Sequence, residues 1–158
     1  MSAITGRTEI AIVAGGCFWP AQELLRRRDG VVSTRVGYIG GTNENPTAED
    51  HPGHAEAVEV TFDPGRTSYR DILEFFLQIH RPDLGEESVG SDYRSEIFCT
   101  SDEQRQVAED TVAFADAAGI WPGKVVTRIS EAGPFWAAKT EDQEYLRFYP
   151  DGKDQLRP

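Results

Sequence analysis

Two extended segments that follow one another with no helix between them constrain the topology of this chain most. Val31–Gly37 and Ala55–Phe62 both read as strands, and only a long polar loop, Gly40 to Gly53, separates them. Strands joined without a crossover helix pair antiparallel. Before them stand a strand at Glu9–Ala14 and a helix from about Phe18 to Arg28, closed by Asp29-Gly30. In the second strand Val32 and Val36 alternate with polar partners. After the pair a helix begins at Thr67 or Ser68, with Ile72, Leu73, Phe75, Phe76 and Ile79 at helical spacing. A polar loop, Arg81–Asp92, then leads to a fourth strand at about Arg94–Thr100. The order strand-helix-strand-strand-helix-strand is that of a ferredoxin-like, split βαβ α+β sandwich and weighs against a doubly wound parallel sheet. C-terminal additions follow. A third helix is opened by the capping box Ser101-x-x-Gln104 and stopped by Gly119; then come a strand at Val125–Ser130 and a turn of helix near Asp142–Phe148.

A chain of 158 residues suits one domain, residues 1–158, with a sizeable core. Its 27 acidic against 16 basic side chains give a net charge of −11, which argues against a nucleic-acid partner. No apolar run approaches the roughly 20 residues of a membrane span. Met1 to Glu9 lacks the charged-then-apolar design of a signal peptide, so a cytoplasmic location is expected. Two cysteines are too few for a disulfide framework and fit a reducing compartment.

The chemistry concentrates at Gly15-Gly16-Cys17-Phe18-Trp19-Pro20, where an apolar strand gives way to a helix. Two glycines allow a tight turn, and Pro20 has the fixed φ suited to a first helical position. A thiol at a helix start lies near the positive end of the peptide dipoles, which favours the nucleophilic thiolate. The alternative is a structural cysteine packed under Phe18 and Trp19. Glu56 is in phase with Val58, Val60 and Phe62, so alternation puts its carboxyl on a core-facing side of the strand. Desolvation there raises a carboxyl pKa and keeps an acid protonated near neutrality; the alternative is a strand-end glutamate that escapes to water. His51 and His54, beside Asp50, invite a metal reading, but metal sites need three or four ligands and His80 is remote in sequence, so no metal is expected. A Cys17–His54 hydrolase lacks any motif for an oxyanion hole or an orienting Asn or Asp. Trp121-Pro122-Gly123 and Phe135-Trp136 read as packing and turn elements.

Gly15-Gly16-Cys17-Phe18-Trp19 resembles the active-site signature of the A-class peptide methionine sulfoxide reductases. The resemblance continues, in family order over roughly residues 9 to 150, through Val36-Gly37-Tyr38, Gly53-His54-Ala55-Glu56-Ala57-Val58, Tyr93-Arg94-Ser95, Trp121-Pro122-Gly123-Lys124 and Tyr149-Pro150. It implies an α+β fold and thiol-dependent reduction of methionine S-sulfoxide, free or in peptides and proteins, through a cysteine sulfenic acid, as repair of oxidised methionine. By this resemblance Cys17 is the nucleophile and Glu56 the acid. Phe18 and Trp19 form an apolar wall for the substrate methyl group, and Tyr93 gives a hydrogen bond to the sulfoxide oxygen. Read alone, Tyr93 is a core-edge residue. No bound cofactor is implied, only an external thiol reductant, thioredoxin or a low-molecular-weight thiol.

The chain departs from that family in several places. Pro46-Thr47-Ala48 stands where the family has Pro-Thr-Tyr, which removes a hydroxyl. Ser88, flanked by Glu86 and Glu87 and with Asp92 nearby, occupies the position of a family aspartate, whose role is therefore not transferred. Pro20 replaces a small residue. Many relatives carry resolving cysteines past a Tyr-Pro-Asn-Gly-like turn; none follows Tyr149-Pro150-Asp151-Gly152-Lys153 here. Cys99, the other thiol, reads as a small buried hydrophobe, and a disulfide with Cys17 needs Cα atoms within about 7 Å. Direct resolution by an external thiol is therefore the expectation. With Ala48 and Ser88 in place of hydrogen-bonding groups, the alternative from another class is a redox-sensing or binding module without turnover.

Overall fold

The strands Glu9–Ala14 (β1), Val31–Ile39 (β2), Ala55–Phe62 (β3) and Glu96–Cys99 (β4) form the centre of one sheet in a computed structural model that describes residues 6–151. β3 pairs antiparallel with both β1 and β2, and β1 pairs antiparallel with β4. Arg128–Glu131 (β5) extends one edge parallel to β4, and Trp136–Ala137 (β6) extends the other antiparallel to β2. The order is β5-β4-β1-β3-β2-β6. Its middle four strands have the split βαβ arrangement expected from the helix-free β2–β3 connection.

Among the described residues five α-helices complete the fold: Phe18–Arg26 (α1), Tyr69–Gln78 (α2), Glu86–Val89 (α3), Asp102–Ala118 (α4) and Tyr145–Phe148 (α5). The apolar sides of α1 and α2, carrying Phe18, Leu25, Ile72, Leu73 and Phe76, pack on Val13, Val36, Val58, Val60 and Phe62. Each such side chain contributes about 1.5–3 kcal/mol by leaving water. The opposite sheet face holds a smaller cluster of Ile12, Ile39, Ala57 and Phe98. Ser68 caps α2 by accepting from the Asp71 N–H at 3.0 Å, and Ser101 caps α4 by accepting from the Gln104 N–H at 3.1 Å. The Gln104 side chain reaches back to accept from Thr100 N–H at 2.9 Å and donates to the Ile10 carbonyl at 2.8 Å, fastening α4 to β1.

Several expectations change. A β-bulge between Val31 and Ser33 shifts the phase of β2, so Val31 packs on the core and Val32 is exposed. The alternation of Val32 with Val36 therefore breaks. α1 starts at Phe18, which makes Pro20 its third residue; the missing N–H still falls in the first turn, where no intrahelical acceptor exists. The segment 81–92 is not all loop: it contains α3 and, from Ser91, a 3-10 turn ending at Tyr93. The segment past Asp151 lies outside the described residues, as does the chain before Gly6. Among the described residues no helix is long and apolar enough to cross a membrane.

Candidate active site

Where β1 ends, the backbone must reverse into α1 within three residues. Gly16 does so at φ +84, in the left-handed region. Gly15 has no room for a side chain, because a Cβ would lie 2.7 Å from His80 Cδ2 and 2.8 Å from Phe76 Cε1. The turn delivers Cys17 as the N-cap of α1, with extended backbone angles of −62° and 134°. Cys17 is half-buried, and its sulfur sits at the helix start, where the peptide dipoles favour negative charge.

The next N–H, that of Phe18, donates to Glu56 Oε1 at 3.0 Å. Glu56 stands directly opposite Tyr38 across the β2–β3 ladder, on the face of Val58, Val60 and Phe62. The alternation of β3 thus aims a carboxyl at the helix start that carries the thiol. Tyr93 arrives from the other side. Its carbonyl accepts from the Gly16 N–H at 3.2 Å, and its side chain is 41% exposed. Cys17, Gly16 and Tyr93 line an open cleft of about 480 Å³, completed by the apolar Leu84 and Val89 and by His80 and Arg81 at the end of α2. Glu56, Phe18 and Trp19 are not among the residues lining this cleft; Glu56 reaches the α1 start from β3, through the Phe18 N–H.

The two aromatics after Cys17 face different surroundings. Phe18 is 1% exposed, its ring tilted against Tyr38 at 5.7 Å. Trp19 is half-buried, stacks on Tyr145 at 3.7 Å and donates from Nε1 to Asp142 Oδ1 at 3.2 Å.

The remaining candidates are dispersed. Ser88 is exposed on α3, and Asp92 Oδ1 lies 3.4 Å from His51 Nε2. His51 also stacks on Tyr38 at 4.8 Å. Ala48 lines a separate cleft of about 420 Å³ together with His51 and Asp92. His54 is buried: Nδ1 accepts from the Gly41 N–H at 3.1 Å, so Nε2 carries the proton and donates to the Asn43 carbonyl at 2.9 Å. It staples the Gly40–Gly53 loop. Among the described residues no group of three or more His, Cys, Asp or Glu side chains is placed to hold a metal. Cys99 is buried, with Sγ 3.9 Å from the Tyr69 hydroxyl, and burial pushes its thiol pKa up. Ala14, three residues before Cys17, pairs with Glu96, three residues before Cys99. In an antiparallel pair these three-residue offsets run in opposite directions. At about 3.3 Å per residue Cys99 alone lies about 10 Å beyond the Ala14 row, outside disulfide reach.

His80 and Arg94 were not among the sequence candidates. His80 Nδ1–H donates to the Phe76 carbonyl at 2.8 Å, so Nε2 accepts from Ser95 Oγ at 2.7 Å, which in turn accepts from Thr127 Oγ1 at 2.8 Å. Burial lowers the His80 pKa to about 4, so the ring against the Cys17 turn is neutral. Its signal was the four-residue step from Phe76 along the apolar side of α2. Arg94 is buried and bonds Glu96 Oε1 at 2.7 Å, the Gly53 carbonyl at 3.0 Å and the Ser91 carbonyl at 2.8 Å. One guanidinium therefore ties the entry to β3, three residues before Glu56, to the turn that presents Tyr93.

A family model described as peptide methionine sulfoxide reductase matches residues 9–158. The peptide methionine sulfoxide reductase MsrA of Nocardia farcinica is 60% identical over 148 residues, 92% of this chain and 87% of that protein. Among solved structures, methionine sulfoxide reductase A of Corynebacterium diphtheriae is similar with a TM-score of 0.79 and 30% identity, covering 93% of this chain and 77% of that one. Mxr1 of Saccharomyces cerevisiae, in complex with Trx2, shares the fold at a TM-score of 0.64 and 23% identity, covering 92% and 89% of the two chains. A thiol at a helix start, a carboxyl bonded beside it and a match along nearly the whole sequence lead to one assignment: the chain belongs to the peptide methionine sulfoxide reductases, oxidoreductases acting on sulfur that return methionine sulfoxide to methionine.

Proposed function

We propose that Cys17 is the nucleophile and Glu56 the proton donor in the reduction of methionine S-sulfoxide, free or in peptides, carried out by a single domain. The observation that carries this reading is the hydrogen bond from the Phe18 N–H, the group next to Cys17, to Glu56 Oε1 at 3.0 Å. It holds an acid beside a sulfur whose negative charge the α1 N-terminus favours.

A sulfoxide has a polarised S–O bond and a poor leaving group, so attack succeeds only if the departing oxygen gains a proton. The Cys17 thiolate attacks the substrate sulfur, and the proton on Glu56 Oε2 passes to the oxygen. The attack forms a bond between the two sulfurs; that bond and the S–O bond then break together as the protonated oxygen moves to Cys17. The products are methionine, Cys17 sulfenic acid and the Glu56 carboxylate; the substrate sulfur gains two electrons and the cysteine loses two. The Tyr93 hydroxyl donates to the sulfoxide oxygen, while the half-buried Trp19 supplies the apolar wall for the methyl group and Phe18, 1% exposed, backs the site from the core.

An external thiol, thioredoxin or a small thiol, attacks the sulfenic acid, expelling water and leaving a mixed disulfide. A second thiol frees Cys17 and carries away the disulfide. The burial of Cys99 at the far end of β4 supports an external resolver. The cycle needs a reducing compartment, in keeping with a cytoplasmic location.

The test is a single turnover without reductant. One methionine per protein should form, with dimedone labelling confined to Cys17. Methionine formation with Cys17 left unlabelled, or no methionine at all, overturns the assignment.

A further inference from the structure

Apart from the Cys17 thiolate itself, the described residues lining the Cys17 cleft carry one formal charge, and that charge is positive. His80 is neutral, Leu84 and Val89 are apolar, and Arg81 is the cationic residue, 51% exposed at the end of α2. This stands out in a chain with 27 acidic and 16 basic side chains. Of the acids on neighbouring elements, Glu86 pairs with Arg128 and Asp92 lies beside His51, while the Glu87 carboxylate lies against Gly85.

Arg81 is also held in place. Its Nε and Nη2 form a two-pronged bond to Asp83, both at 2.7 Å. Asp83 Oδ2 accepts from the Gly123 N–H at 3.1 Å, and the Pro82 carbonyl accepts from the Val126 N–H at 2.8 Å. The fork uses one edge of the guanidinium. A planar guanidinium has five N–H donors, so the edge carrying Nη1 remains for a ligand, and planar bidentate recognition of a carboxylate is what this group does best.

Building on the Cys17 assignment above, we infer that Arg81 makes this cleft selective for methionine sulfoxide that carries a carboxylate close to the oxidised sulfur. Two sources share that chemistry: the α-carboxylate of a free or C-terminal methionine sulfoxide, and the side chain of a neighbouring Asp or Glu in a peptide. Because Arg81 is exposed and partly neutralised by Asp83, the preference is modest and sensitive to salt.

The experiment compares kcat/KM, with dithiothreitol, for N-acetyl-methionine sulfoxide against its amide, and for acetyl-methionine sulfoxide-Asp-amide against the Asn analogue. At 50 mM salt the acid of at least one pair should be favoured about 2- to 5-fold, which also identifies the source. The ratio should approach 1 in Arg81→Gln, persist in part in Arg81→Lys, and shrink in the wild-type protein at 500 mM salt. Ratios near 1 in both pairs, or a preference that survives in Arg81→Gln or ignores salt, overturn the inference. Loss of turnover on all four substrates would instead strike at the Cys17 reading.

Discussion

The Phe18 N–H and Glu56 Oε1, 3.0 Å apart, join the first residue of α1 to a carboxyl thirty-eight positions further along the chain. The same carboxyl therefore accepts from the first N–H of α1 and, in the proposed reaction, supplies a proton beside the thiol, and substitutions can separate the two roles. Glu56→Gln keeps an oxygen for the Phe18 N–H but no acidic proton. Turnover should fall about 10²- to 10⁴-fold, with stability changed by less than about 1 kcal/mol. Steady-state assays and urea melts check both; a near-normal rate removes Glu56 from the mechanism.

Cys17→Ser should lower turnover by about 10³-fold or more while the circular dichroism spectrum stays native. The serine hydroxyl is not appreciably ionised at neutral pH and forms no sulfenic acid.

Cys99→Ala should leave the rate with dithiothreitol or thioredoxin within about 2-fold, since the buried Cys99 lies far from the α1 start. Thiol titration after one turnover should show a loss confined to Cys17. A Cys17–Cys99 linkage would refute external resolution.

His80 predicts a pH dependence of stability. Folding lowers its pKa from 6.5 to about 4, chiefly through burial, so the unfolded chain binds more protons between those values. The stabilisation is complete above about pH 6.5 and is lost as pH falls towards 4, on the order of 3 kcal/mol at most. Urea midpoints at pH 7.5 and 4.5 should differ more in the wild-type protein than in His80→Gln; equal slopes would contradict this.

Arg94→Ala should destabilise the fold by about 3–5 kcal/mol, because it strands the buried Glu96 carboxylate and two carbonyls. Denaturant titration measures it. Arg94→Lys restores the charge but not the three directions of bonding, and should recover only part of the loss.

The parts of this molecule that local rules govern could be read in advance. Strict alternation in β3 aimed Glu56 correctly, and Ser68, Ser101 and Gly119 marked helix ends through their own backbone chemistry. The β2 bulge was hidden because Val31 and Val32 are both apolar, so either satisfies the pattern. β6 was hidden because two residues carry no period; its place comes from pairing with Gly37 and Tyr38. The cleft walls were the least legible. They gather from the β1–α1 turn, the end of α2, α3 and the Tyr93 turn, and only packing brings these segments together. His80 and Arg94 act through such packing.

The sheet ends in strands of four and two residues, β5 and β6. Margins so short expose few unsatisfied amides and carbonyls to a passing chain. Terminal strands of that length are poor templates for adding a further strand, which limits edge-to-edge pairing through β5 and β6 between copies of this domain.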